Sequence, residues 1–177
     1  MIDPPQHRTK PRALEIFLVR FLAYSQDNMP VDVVNTVVIN RSVADVSEYA
    51  ADPGNAPLWY ENIRSVEWKT PRPVRIGSRI DFVAQFLGRR LAYTYEVVDF
   101  VPGRRLTMRT GGAPFPMETT YTWENENGAT RMTLRNRGLP SGFSAWLAPL
   151  MSFMVGRANR KDLALLKRRL EAERPGH

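Results

Sequence analysis

The chain has 177 residues, 43% hydrophobic and 24% charged, with 11 Gly, 14 Pro and no Cys, a composition of a folded globular domain and not of a disordered, collagen-like or disulfide-stapled chain. Without cysteine there is no thiol nucleophile or thiolate metal site, and with His7 and His177 as the two histidines, both near chain ends, neither a histidine metal centre nor a Ser-His-Asp triad is expected. The net charge of +7 is concentrated late, residues 157–177 holding seven Lys/Arg against three acids; this is read as a solvated helix face, or else as a contact for phosphate, anionic lipid or an acidic partner.

Residues 1–30 read as an N-terminal extension. Its start is polar and rich in Pro4, Pro5 and Pro11, and disorder is expected there. Over about 13–24, Leu14, Phe17, Leu18, Phe21 and Leu22 recur at i, i+3, i+4, i+7 and i+8, the stripe of an amphipathic helix. Glu15 and Arg20 interrupt this stretch, so it is not read as a signal peptide. From Asp32 the chain turns β-like through the β-branched run Val33 to Ile39. Ser42 precedes a short helix over Ala44–Tyr49, Pro53-Gly54 ends it, and Ala56 to Tyr60 form one or two further turns. Six strands follow at about 63–70, 78–87, 90–101, 105–110, 116–124 and 129–137, separated by Gly- and Pro-rich turns. Residues 138–156 carry no charge between Arg137 and Arg157. Pro140, Gly142, Pro149 and several serines dilute the run, so it reads as buried helix and not as a membrane span. A short helix near 142–147 and a long one from about 149 are expected, Pro149 being natural in a first turn. Strands between segregated helices make the class α+β.

Alternation sorts the strand side chains. Pairing Glu124 with Ala129 in the hairpin around Asn125–Gly128 predicts Thr120 opposite Thr133 and Tyr121 opposite Met132, with one apolar and aromatic face. Period 2 turns Ile80, Phe82, Ala84 and Phe86 inward, and likewise Leu91, Tyr93, Tyr95 and Val97, then Leu106 and Met108. The phase slips near Val98–Phe100, where a bulge is expected. Every strand carboxylate of clear phase (Asp81, Glu96, Glu118, Glu124) then falls outside. The inner face holds aromatics with the neutral polar groups Thr119, Tyr121 and Asn136. Such a lining suits an apolar ligand carrying a hydroxyl or carbonyl; the alternative is that these residues simply pack as core against the last helix. No inward paired-carboxylate site and no cationic phosphate clamp is expected.

The stretches Asp52-Pro53-Gly54-Asn55-Ala56-Pro57-Leu58-Trp59-Tyr60, Gly77-Ser78 and Val97 to Leu106 with its Pro102-Gly103-Arg104-Arg105 turn, together with the long last helix, resemble the START-like (SRPBCC) superfamily, in particular its polyketide cyclase/dehydrase and lipid-transport group. The resemblance covers about residues 32–172, and the domain that it implies is taken as 31–173. It implies a helix-grip fold: a seven-stranded antiparallel sheet curved around a long C-terminal helix, with two short helices between strands 1 and 2 and a hydrophobic cavity between sheet and helix. It also implies binding or transport of a small hydrophobic, lipid-like or polyketide-like ligand. The residues expected to line that cavity are Trp59, Tyr60, Trp68, Phe82, Phe86, Tyr93, Tyr95, Met108, Met117, Thr119, Tyr121, Asn136 and Met151. A cyclase/aromatase-type enzyme is the alternative, and docking of the basic last helix on an anionic membrane or macromolecule is a further one. The chain is expected to be cytoplasmic, with no catalytic residue, metal, cofactor or nucleic-acid partner assigned.

Overall fold

The computed structural model describes residues 31–86, 88–110, 116–138 and 148–172. Strand β1 (Val31–Ile39) leads into helix α1 (Val43–Ala51), a 3-10 turn over Pro53–Asn55 and the single-turn helix α2 (Ala56–Trp59). Then come β2 (Ile63–Trp68), β3 (Arg79–Phe86), β4 (Arg89–Val101), β5 (Arg105–Thr110), β6 (Met117–Glu126), β7 (Ala129–Gly138) and the 25-residue helix α3 (Ala148–Ala172). The N-terminal extension and the short helix expected near 142–147 lie outside the described residues.

Local chemistry sets these boundaries. Ser42 caps α1, its hydroxyl accepting the Asp45 N–H at 3.1 Å. The Asp52 carboxylate accepts the Gly54 N–H at 2.8 Å and opens the 3-10 turn. The strands form one seven-stranded antiparallel sheet in the order β1-β7-β6-β5-β4-β3-β2. Thus β1 and β2, consecutive in the chain, are the two edges, and α1 and α2 carry the chain between them. Helix α3 packs on β1, while α2 touches both α3 and β2. Both edges therefore meet one helical layer, and the sheet curves around it.

The expected bulge is found where β4 shifts register against β5 between Val97 and Asp99. The β6–β7 register differs from the expected one by two residues. Pairing runs to Glu126 and Ala129, and the turn is Asn127-Gly128, with φ of 54° and 86°. Two left-handed residues make the tight I′-type hairpin turn whose twist matches the strands, so the ladder continues past Asn125 instead of opening there. A shift of two keeps every side chain on its face but changes its partner. Thr119 now stands opposite Asn136, Tyr121 opposite Leu134 and Trp123 opposite Met132.

The core lies between the inner sheet face and the helices. Ile80, Val97, Leu106, Met132 and Leu134 are essentially inaccessible and meet Leu163, Leu166 and Leu170 of α3, spaced for one helix face, together with Val46 and Trp59. Charges occupy the outer face as cross-strand pairs: Arg109 with Glu118 at 2.6 Å, Arg131 with Glu126 at 2.7 Å, and Arg135 with Asp32. Such exposed pairs contribute roughly 0.2–1 kcal/mol each, and they fix which face is wet more than they stabilise it.

One expectation is corrected here. The uncharged run before Arg157 reads as buried helix in the sequence, but its described part is buried on one side only. Gly156 is buried and Met151, Met154 and Val155 are half-buried, whereas Leu150 and Phe153 are 55% and 63% exposed. Among the described residues no helix is long and apolar enough to cross a membrane.

Candidate ligand-binding site

Most of the expected lining residues gather on the inner face. Alternation in β3 and β4 brings Phe82, Tyr93 and Tyr95 together: Phe82 stacks on Tyr93 at 5.9 Å and meets Tyr95 edge-on at 5.5 Å. Tyr93 and Tyr95 lie edge-to-face at 5.5 Å, an arrangement favoured by the ring quadrupoles. A second aromatic group comes from α2 and β6. Trp59 is 4.0 Å from Tyr60 and 6.0 Å from Tyr121, ring centre to ring centre. The Tyr60 and Tyr121 hydroxyls are hydrogen-bonded at 2.6 Å. Met108 is buried between these groups' strands, on β5.

Behind the aromatics runs a polar chain. The Thr119 hydroxyl donates to Asn136 Oδ1 at 2.7 Å, so in its 2.8 Å contact with Tyr95 the phenol must be the donor. Asn136 Nδ2 in turn donates to Asn159 Oδ1 of α3 at 3.0 Å. This chain exists because the hairpin register sets Thr119 opposite Asn136.

The remaining expected residues are placed differently. Trp68 is half-buried near the β2 edge, with the Arg72 guanidinium 5.0 Å over its ring. Met117 and Met151 are half-buried, on the first residue of β6 and the first turn of α3. The Phe86 side chain lies outside the described residues. An open groove lined by Leu58, Leu165, Arg168, Arg169 and Ala172 lies between α2 and the end of α3, away from the tyrosines.

Burial holds all four phenols in the donor form. It raises Tyr60 and Tyr121 well above their usual range, raises Tyr93 likewise, and pushes Tyr95 up to about 12 against the lowering effect of its Thr119 contact. Within the Tyr60–Tyr121 pair one hydroxyl donates to the other, which leaves one O–H of the pair free to donate elsewhere.

Strand alternation sends every phased carboxylate outward, but the last helix brings one acid inside. Asp162 of α3 is only 3% exposed, and its Oδ1 accepts the Glu61 N–H at 2.9 Å, tying the helix to the residue after Tyr60. Burial pushes its carboxyl up to about 6, with the backbone hydrogen bond opposing. Asp162 is also a secondary cause, behind burial, of the raised Tyr60 and Tyr121 phenols. Strand alternation cannot reveal this acid, because it lies on a helix. A helical wheel finds it, since Gly156, Asn159, Leu163, Leu166 and Leu170 share one buried face and Asp162 adjoins it. Asn35, also buried, follows Val31 and Val33 in the β1 alternation and is legible in the same way.

The family described as "Polyketide cyclase / dehydrase and lipid transport" matches residues 30–171. The chain belongs to this family. The family binds small hydrophobic ligands on a START-like fold, in keeping with the aromatic, largely uncharged inner face. Solved structures agree on the fold. A protein of Thermus thermophilus is 18% identical with a TM-score of 0.71, covering 81% of this chain and 99% of its own. A START superfamily protein from Mycobacterium smegmatis is 14% identical with a TM-score of 0.66, covering 79% of this chain and 97% of its own. The Zhui aromatase/cyclase from Streptomyces sp. R1128 is 16% identical with a TM-score of 0.67, covering 79% of this chain and 93% of its own. No curated protein matches the chain in sequence. At such identities the polyketide cyclase/dehydrase and lipid-transport relationship fixes the helix-grip architecture, and the chemistry must be argued from this chain's residues.

Proposed function

We propose that this protein binds and carries a small, largely apolar ligand bearing oxygen functions, held between the inner sheet face and α3 in a single domain over residues 31–173. The observation that carries the reading is the Tyr60–Tyr121 pair. Two phenols bonded to each other at 2.6 Å keep one hydrogen free in an aromatic interior, a ready donor for a ligand carbonyl or hydroxyl. Trp59, Phe82, Tyr93, Tyr95 and Met108 would supply the apolar contacts, with Thr119 and Asn136 behind them; Trp68, Phe86, Met117 and Met151 would lie toward the ends of the site. A thermal-shift panel of fatty acids, sterols and polycyclic phenols tests this. At least one class should raise Tm in the wild type and raise it less in Tyr121→Phe, because mass action stabilises whatever binds the native state alone. No shift with any class would count against the reading.

Asp162 favours a second reading, a cyclase/dehydratase-type activity on a polyketide-like substrate. A buried carboxyl that burial pushes up to about 6 is the kind of group that takes up and returns a proton at neutral pH. Incubation with a poly-β-ketone mimic, comparing wild type with Asp162→Asn, separates the two: a product formed only by the wild type supports chemistry, and unchanged ligand supports carriage. Delivery to an anionic membrane fits either reading, since exposed Leu150 and Phe153 precede Arg157, Arg160, Lys161 and Arg168 on the outward side of α3.

A further inference from the structure

The open groove between α2 and the end of α3 plays no part in the ligand reading. It measures about 460 Å³ and is lined by Leu58, Leu165, Arg168, Arg169 and Ala172. Leu58 is 48% exposed, although Ala56 and Trp59 on the same short helix are core. Leu165 of α3 is half-buried. Leucines of two helices thus share one trough that is open to water along about two turns of α3.

Helix geometry places the charges. At 3.6 residues per turn Leu165 and Ala172 fall on nearly one line along α3, and Arg168 and Arg169 lie about 50° to either side of it. Both arginines are exposed. The lysines of the same half of the helix are engaged within the chain, Lys161 by Glu61 and Lys167 by Glu171, each at 3.3 Å. Among the described residues no carboxylate lines the groove.

An apolar floor with a guanidinium on each side calls for an apolar side chain with a carboxylate on each side. An amphipathic helix carrying acids three and four positions from a Leu or Met presents that pattern, and a trough between two helices is the shape in which a third helix packs. A bilayer is flat and would leave the trough unfilled. The chain's own apolar stripe over 13–24 lacks the charge, with one acid, Glu15, against one base, Arg20. We propose that this groove docks an acidic amphipathic helix of a partner protein, its apolar side chain seated on Leu58 and Leu165 and its carboxylates on Arg168 and Arg169. The groove lies away from the tyrosines but shares α2 with Trp59, whose ring is 4.0 Å from that of Tyr60, so a docked partner bears on an element of the candidate site.

Two helical peptides of about 14 residues, with the same Leu ridge flanked in one by Glu and in the other by Lys, test it by NMR titration into the full chain. The Glu peptide should shift the signals of Leu58, Leu165 and Ala172 and release them at high salt, and the Lys peptide should leave them unmoved. Arg168→Glu with Arg169→Glu should weaken the Glu peptide roughly tenfold or more. Leu58→Ser should weaken it at every salt concentration, while Arg157→Glu with Arg160→Glu, outside the groove, should leave it unchanged. The comparison of the two peptides on the wild type stands even where a variant fails to fold. No shift at these three residues with the Glu peptide at about 1 mM, or equal shifts with both peptides, would overturn the proposal. Shifts there with phosphatidylserine vesicles and none with the Glu peptide would overturn it too, and would make the groove part of a lipid surface.

Discussion

Tyr60 and Tyr121 are 61 residues apart in the chain, yet their hydroxyl oxygens lie 2.6 Å apart inside the protein. The contact joins the end of α2, near one edge of the sheet, to β6, and Asp162 of α3 accepts the backbone N–H of Glu61, the residue after Tyr60, at 2.9 Å. Three elements of different sequence position thus converge on one donor pair.

That pair predicts a non-additive mutational cycle. Tyr60→Phe or Tyr121→Phe alone leaves the other hydroxyl buried without its partner and should cost about 1–2 kcal/mol. The double variant should cost clearly less than the sum, with a coupling of about 1 kcal/mol. Urea unfolding of the four proteins measures it; strict additivity would mean that the hydroxyls do not interact.

Asp162 predicts a pH dependence of opposite sign to that of a surface ion pair. Its carboxyl rises from the usual 3.8 to about 6, so the native state holds the proton more tightly than the unfolded chain does. The stabilisation that results is complete below about pH 4 and is lost as pH rises through about 6, amounting to at most about 3 kcal/mol. Asp162→Asn keeps an oxygen for the Glu61 N–H, so it should raise Tm near neutral pH and change it little at about pH 4. Thermal unfolding of both proteins across that range would show the two curves separating with rising pH; parallel curves would contradict the assignment.

The hairpin turn predicts a local cost. Gly128 sits at φ 86°, where a Cβ is strained even though the surrounding space is open. Gly128→Ala should destabilise the chain by about 1 kcal/mol, whereas Asn127→Gly, at φ 54°, should be close to neutral. Chemical denaturation of both variants decides this.

The outward side of α3 predicts salt-sensitive membrane contact. The wild type should co-sediment with phosphatidylserine-containing vesicles at low ionic strength and release at high salt. Arg157→Glu combined with Arg160→Glu should abolish binding, and Leu150→Ser with Phe153→Ser should weaken it at every salt concentration. Binding indifferent to both salt and these changes would rule out an electrostatic membrane contact through this face.

Much of this architecture is legible in the chain. Alternation places Phe82, Tyr93, Tyr95, Met108, Thr119 and Tyr121 inward, because one face of each strand has to be apolar. The slip at Asp99 is visible as a break in that alternation, and it is the β4 bulge. What the pattern does not carry is partnership across elements. The two-residue shift in the β6–β7 ladder depends on the backbone conformation of Asn127 and Gly128, and it decides whether Thr119 meets Leu134 or Asn136. Asn159 and Asp162 are hidden by their neighbourhood: amid Arg157, Arg160, Lys161, Arg168 and Arg169 the segment reads as a charged surface, although its period already turns these two toward the sheet.

The most direct test of ligand carriage is native mass spectrometry of gently purified protein beside its denatured mass, with organic extraction of what is released. The predicted result is a discrete added mass that dissociates on denaturation and is an apolar molecule bearing oxygen functions. A protein that is empty in the native spectrum, and stays empty after incubation with hydroxylated lipids and polycyclic phenols, would show instead that the aromatic interior is a filled core.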